Sequence, residues 1–159
     1  MSDKITQAQL DWIIDSTIKS ILEEFDKLQS CYPHYILVAH TGEAVLYLPK
    51  SLDTVESKDR AVQLVTEVAQ GCHALAIVWV MEAWMVQSKS GEKLDMSIPP
   101  SSHPRRVEIL TVSVETHKGT KVHLWPIVRG KRVTLGRKQT YTEATGRFCN
   151  LLSKPWERN

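Results

Sequence analysis

The chain has 159 residues, 42% of them hydrophobic and 24% charged, which suits one ordered domain that buries its own core without disulfides, metals or an obligatory partner. Its longest apolar run, from Ala74, is broken by Glu82, so no segment reaches the roughly 20 apolar residues that a membrane helix needs. The formal net charge of +2 hides an asymmetry: residues 1–60 hold ten acids against six bases, and residues 61–159 hold eight against fourteen.

The opening MSDKITQAQLDW lacks the apolar core of a signal peptide. Cys31, Cys72 and Cys149 are scattered and include no CxxC, which argues against a disulfide framework and a thiolate zinc site. A reducing cytoplasm is the expected location.

Residues 6–29 repeat apolar side chains at helical spacing, with Leu10, Ile14, Ile18, Ile21, Leu22, Phe25 and Leu28 on one stripe. Thr6 and Gln9 have the spacing of a capping box, and Pro33 marks the exit. Residues 34–40 and 44–48 are apolar, β-branched or aromatic runs joined by Thr41-Gly42-Glu43, the pattern of a hairpin. A second helix is expected from Ser57 to about Gln70, with Ala61, Val65, Val68 and Cys72 on one face and Gly71 as the stop.

Residues 74–86 are apolar at both alternating sets of positions, as in a central strand covered on both faces. Residues 87–104 form a long polar loop with Gly91, Pro99, Pro100 and Pro104. Residues 105–116 and 120–129 read as a long hairpin, with an edge strand in 131–138 and a short helix near 142–152. Pro126 confines its strand to an edge or a bulge. The expected architecture is one α+β domain over residues 1–159. Its mainly antiparallel sheet has five to six strands, with two main helices and a short C-terminal one.

The chemistry-bearing candidates are few. Glu82 interrupts the apolar strand on the side of Val78, Val80 and Trp84, where a carboxylate needs a cation, donors or a proton. The loop SSHPRRVE brings His103, Arg105, Arg106 and Glu108 toward the end of that strand, where an anion-binding or acid/base site is conceivable and a salt-bridge cluster is the plainer alternative. A Lys118-Gly119 turn would set Glu108 opposite Arg129, Val112 opposite Trp125 and Val114 opposite His123. Glu82, Glu108 and Glu115 are the candidates for a carboxylate metal site, but no spacing supports a histidine or thiolate one, so neither a metal nor a cofactor is expected.

From Lys118 to Lys138 there are seven bases and no acid. Lys121, Arg129, Lys131 and Arg132, with Trp84, Arg105 and Arg106, are therefore candidate partner-binding residues, for phosphate or an acidic protein surface. The competing reading is a charged edge that blocks strand pairing.

The segments EAWMV (82–86), PSSHPRRVE (100–108), VETHKG (114–119) and GRFCNLL (146–152) resemble a family of small uncharacterised bacterial and phage proteins. The resemblance covers residues 74–152 and implies kinship without an assigned activity. The sequence therefore predicts a small cytoplasmic binding protein that engages a protein or nucleic-acid partner, away from membranes, through a sheet edge and the 87–106 loop. A second copy of the chain is a further candidate partner. The alternative is a metal-dependent hydrolase or nuclease-like enzyme using Glu82, Glu108 and His103.

Overall fold

The computed structural model describes residues 4–142, 148, 149, 151 and 152. Its elements run α1 (Gln7–Leu28), β1 (His34–Val38), β2 (Ala44–Tyr47), α2 (Val55–Gly71), β3 (Ala76–Met85), a 3-10 turn (Pro100–Ser102), β4 (Val107–Thr116), β5 (Gly119–Arg129), β6 (Val133–Leu135) and β7 (Gln139–Tyr141). The strands form one antiparallel sheet in the order β2-β1-β3-β4-β5-β6, with β7 also on β5. The expected α+β domain is present. No described helix is long and apolar enough to cross a membrane.

α1 begins where its sequence says it should. Thr6 Oγ1 accepts from the Gln9 N–H, and the Gln9 side chain accepts from the Thr6 N–H, so two backbone donors left over at the helix start are satisfied reciprocally. Leu10, Ile14, Ile21 and Phe25 then bury against Val78, Val80, Leu110, Val112, Trp125 and Ile127 on one sheet face. The helix start is held beside the β1–β2 turn, where the Ile5 N–H donates to the His40 carbonyl. Ile5 also lies over Gly42, whose φ of +92° favours glycine and whose missing Cβ would sit 3.1 Å from Ile5 Cγ2.

α2 covers the opposite face, with Val65 and Ala69 buried against Tyr35, Leu37, Ile77 and Trp79, and Ala61 buried as well. The helices thus lie one on each side of the sheet. β3 is apolar on both sides because it is sandwiched between them. The α2 start differs from expectation: Thr54 is the cap and Ser57 is its reciprocal partner three residues on, making Ser57 the second half of a capping box. Its end differs too, since Gly71 is the last helical residue and the left-handed turn falls on His73 (φ 49°).

The β4–β5 hairpin corrects the predicted register by two residues. Thr116 pairs with Gly119, so His117-Lys118 is the two-residue turn, and Trp125 faces Leu110 while His123 faces Val112. Gly119, with φ of +133°, belongs to the flank of the turn and not to its tip. Because the shift is even, every side chain keeps its predicted face.

Pro126 lies in an inner strand, so of the expected edge or bulge the edge position is corrected. Its missing N–H faces the outer neighbour, where its carbonyl accepts from the Gly136 N–H at 2.7 Å, and there the last strand divides into β6 and β7. The helix expected near 142–152 falls largely outside the described residues; Phe148, Cys149, Leu151 and Leu152 are not helical.

Candidate functional site

The structure gathers part of the loop cluster and ties it down. Trp84 faces Glu108 across β3–β4, and the Arg106 guanidinium lies 5.0 Å from the centre of the Trp84 ring. Glu108 takes two hydrogen bonds from Arg129, Nε at 2.5 Å and Nη2 at 3.0 Å, and this hydrogen bonding holds its carboxyl below the usual range. Arg129 reaches Glu108 diagonally, since the register sets it two positions beyond direct opposition. Glu82, half-buried on the same face, accepts the Cys31 N–H at 3.0 Å where the chain leaves α1.

The other loop residues are engaged locally. Arg105 pairs with Glu92, and the Arg105 N–H donates to His103 Nδ1 at 3.1 Å. Glu92 is held below its ordinary range first by the Lys89 N–H and then by Arg105. Glu115 points to the opposite face from Glu82 and Glu108, where it accepts the backbone N–H groups of Leu151 (2.8 Å) and Leu152. The three candidate carboxylates do not converge. Among the described residues, no group of three or more His, Cys, Asp or Glu is placed to hold a metal ion.

Part of the basic stretch has protein partners as well. The Arg132 guanidinium meets Asp26 Oδ1 at 3.0 Å and the Asp26 carbonyl at 2.6 Å, while the Gln29 amide exchanges two hydrogen bonds with the Val133 backbone. These contacts fasten the end of α1 to β6. Lys131 is exposed, and Lys121 borders a polar cleft of about 630 Å³ with Asp11, Asp15 and His123. Burial, reinforced by Lys138 and Lys121, lowers the His123 pKa.

An apolar recess lies elsewhere. α1 covers the inner part of β1 and the strands beyond it but leaves β2 and the outer side of β1 bare, opening a groove of about 590 Å³. Its floor includes Ile36, Leu46 and Leu48, and its wall is the flank of α1 from Trp12 to Leu28. Trp12, Leu28, Tyr32, Leu46 and Leu48 all border it while 55% to 72% exposed. So many large apolar groups around one recess, beside the open edge of β2, form the kind of contiguous patch that marks an interaction site.

Among the described residues that line the groove, Glu24 is the sole Asp or Glu, no Lys or Arg is present, and His34 is the one basic side chain. Glu24 lies at the Cys31 end, where burial first, then Glu82 and Glu24, push the Cys31 thiol up to about 12.

Sequence reasoning missed this groove, although signals for it existed. Trp12 sits off the buried stripe of its helix, and the strand AVLYL is apolar at both alternating sets of positions while being an edge. Leu28, assigned to the buried stripe, is 62% exposed because the stripe drifts off the sheet by the last turn. No family model matches the chain, and no curated protein or solved structure matches it significantly.

Proposed function

We propose that this chain is a small non-enzymatic binding protein of bacterial or phage cytoplasm, engaging a partner protein through the β2 edge of its sheet and the groove beside it. The observation that carries this reading is the ring of five exposed apolar side chains around that groove. Solvating such a ring is costly, and covering it returns roughly 25 cal/mol per Å² of apolar surface. The proposed surface differs from the expected one, moving from the basic edge near Lys131 and Arg132 and the 87–106 loop to the β2 edge at the other end of the sheet.

Two features favour a protein partner over nucleic acid or a substrate. Arg105, Arg129 and Arg132 are already paired with carboxylates, leaving fewer cations for phosphate. Glu82 and Glu108 both accept hydrogen bonds from this chain's own donors, as structural carboxylates do.

The test is to sort a displayed random-peptide library on the wild-type protein and on Leu46→Glu. Peptides that bind the first and not the second support the reading. Failure to enrich any peptide, or enrichment indifferent to Leu46→Glu, overturns it. Retention on DNA or RNA that weakens steeply with salt would favour the basic hairpin instead.

A further inference from the structure

Resting on that reading, we infer that the groove's occupant is an amphipathic α-helix of a partner protein, lying alongside α1 and carrying a Lys or Arg toward Glu24. The first argument is geometric. On this face the sheet is layered by one helix, which leaves uncovered the strip above β2 and the outer side of β1. Two neighbouring strands occupy about 10 Å across the sheet, and helices laid side by side are separated by about 8–10 Å. The bare strip is one helix wide.

The flank of α1 that faces the strip is shaped to receive a helix. Trp12, Ser16, Ser20 and Glu24 recur every four residues along one ridge. The two central positions are small, which lets a neighbouring backbone come close, and large groups stand at the ends in Trp12 and Leu28. At about 1.5 Å per residue, Trp12 to Leu28 is roughly 24 Å long, enough for an occupant of about 16 residues.

The second argument is charge. Glu24 is the one Asp, Glu, Lys or Arg among the described side chains that line the groove, whose other titratable groups are Cys31, Tyr32 and His34. An occupant with an all-apolar or acidic face leaves that carboxylate uncompensated, whereas a cation there completes it. Strand addition to β2 fits less well. β2 has only four residues, and its exposed Leu46, like Leu48 just beyond it, lines the groove and not the hydrogen-bonding edge.

The experiment uses two displayed libraries of about 16 residues, the length of the α1 flank. One repeats apolar positions at helical spacing and the other alternates them, and both have Lys, Glu or Gln randomised near each end. They are sorted on wild type, Ser20→Trp, which fills the ridge at an exposed position, and Glu24→Lys. Enrichment of helical-period peptides with Lys at one end supports the inference. Their affinity should fall about tenfold or more in Ser20→Trp, as at an interface centre. It should fall roughly two- to fivefold in Glu24→Lys, the scale of an exposed ion pair.

Enrichment of alternating peptides would overturn the helix while leaving groove binding standing. So would sedimentation showing that the unliganded wild type is a dimer and Ser20→Trp a monomer, which assigns the groove to a second copy. Absence of Leu46-dependent binders from either library would remove the underlying reading as well.

Discussion

The Glu82 carboxylate receives the Cys31 N–H at 3.0 Å, joining the exit of α1 to β3, the strand beneath it. A carboxylate that breaks an apolar strand is therefore satisfied by a backbone donor from the helix exit. Substituting Glu82 with Leu should destabilise the fold by about 1.5–3 kcal/mol, the range for a lost hydrogen bond to a charged group. Gln, which keeps an acceptor, should cost less. Urea titration of both variants measures the difference, and equal midpoints for wild type and Leu would refute it.

Burial at the same place sets a pH dependence. The Cys31 thiol is raised from an ordinary 9.0 to about 12, chiefly by burial and then by Glu82 and Glu24. The folded state then holds this proton more tightly than the unfolded chain, so the contribution is fully present below about pH 9 and disappears as pH rises toward about 12. Stability should fall less steeply over that window in Cys31→Ala than in wild type. Alkylation of Cys31 in the native protein should be slow at pH 8 and faster in Glu82→Gln.

Glu115 gives a sharper test of structure. Its carboxylate accepts the N–H groups of Leu151 and Leu152, whose side chains lie buried with Tyr35, Trp79 and Phe148. Glu115→Ala leaves two buried donors unpaired, each at about 1–3 kcal/mol. The backbone amides of 151 and 152 should then exchange with deuterium far faster than those of β3, while the helices stay protected. Unchanged exchange at 151 and 152 would show that apolar contact alone holds this segment.

Helix capping can be checked where the structure moved it. Thr54→Ala should cost about 1 kcal/mol by leaving the Ser57 N–H without its acceptor. Ser57→Ala should cost less, since the Thr54 cap survives it. Equal losses, measured by thermal unfolding, would mean that the two halves of the box act only together.

Several elements could be read from the sequence because one local pattern decides each. The α1 stripe, the Thr6–Gln9 box and the two-sided apolar β3 each follow from spacing alone. The two-residue slip in the β4–β5 register had a different origin: the φ of +133° belongs to Gly119 just beyond a His117-Lys118 turn, and sequence placed the glycine inside it. Pairing Glu108 with Arg129 was nonetheless right, because an arginine is long enough to reach diagonally.

The candidate site was less legible. Glu82 and Glu108 were visible as charges, but their donors come from Cys31, at the helix exit, and from Arg129, at the end of β5. The groove depends on where α1 stops covering the sheet, which is a tertiary fact. The two-sided apolar run that holds Leu46 and Leu48 resembles that of the covered strand β3, and only the tertiary placement of α1 separates the bare side chains from the covered ones.

The division of the outermost strand at Pro126 bears on how copies of this molecule can meet. On that side each fragment offers only three residues, interrupted where a donor is missing, while β2 is unbroken at the opposite end. Lateral growth by strand pairing is thus open in one direction and blocked in the other. Two chains joined through β2 would each present a sealed end outward. Edge-to-edge association should stop at a pair, and concentrated solutions should yield no fibres.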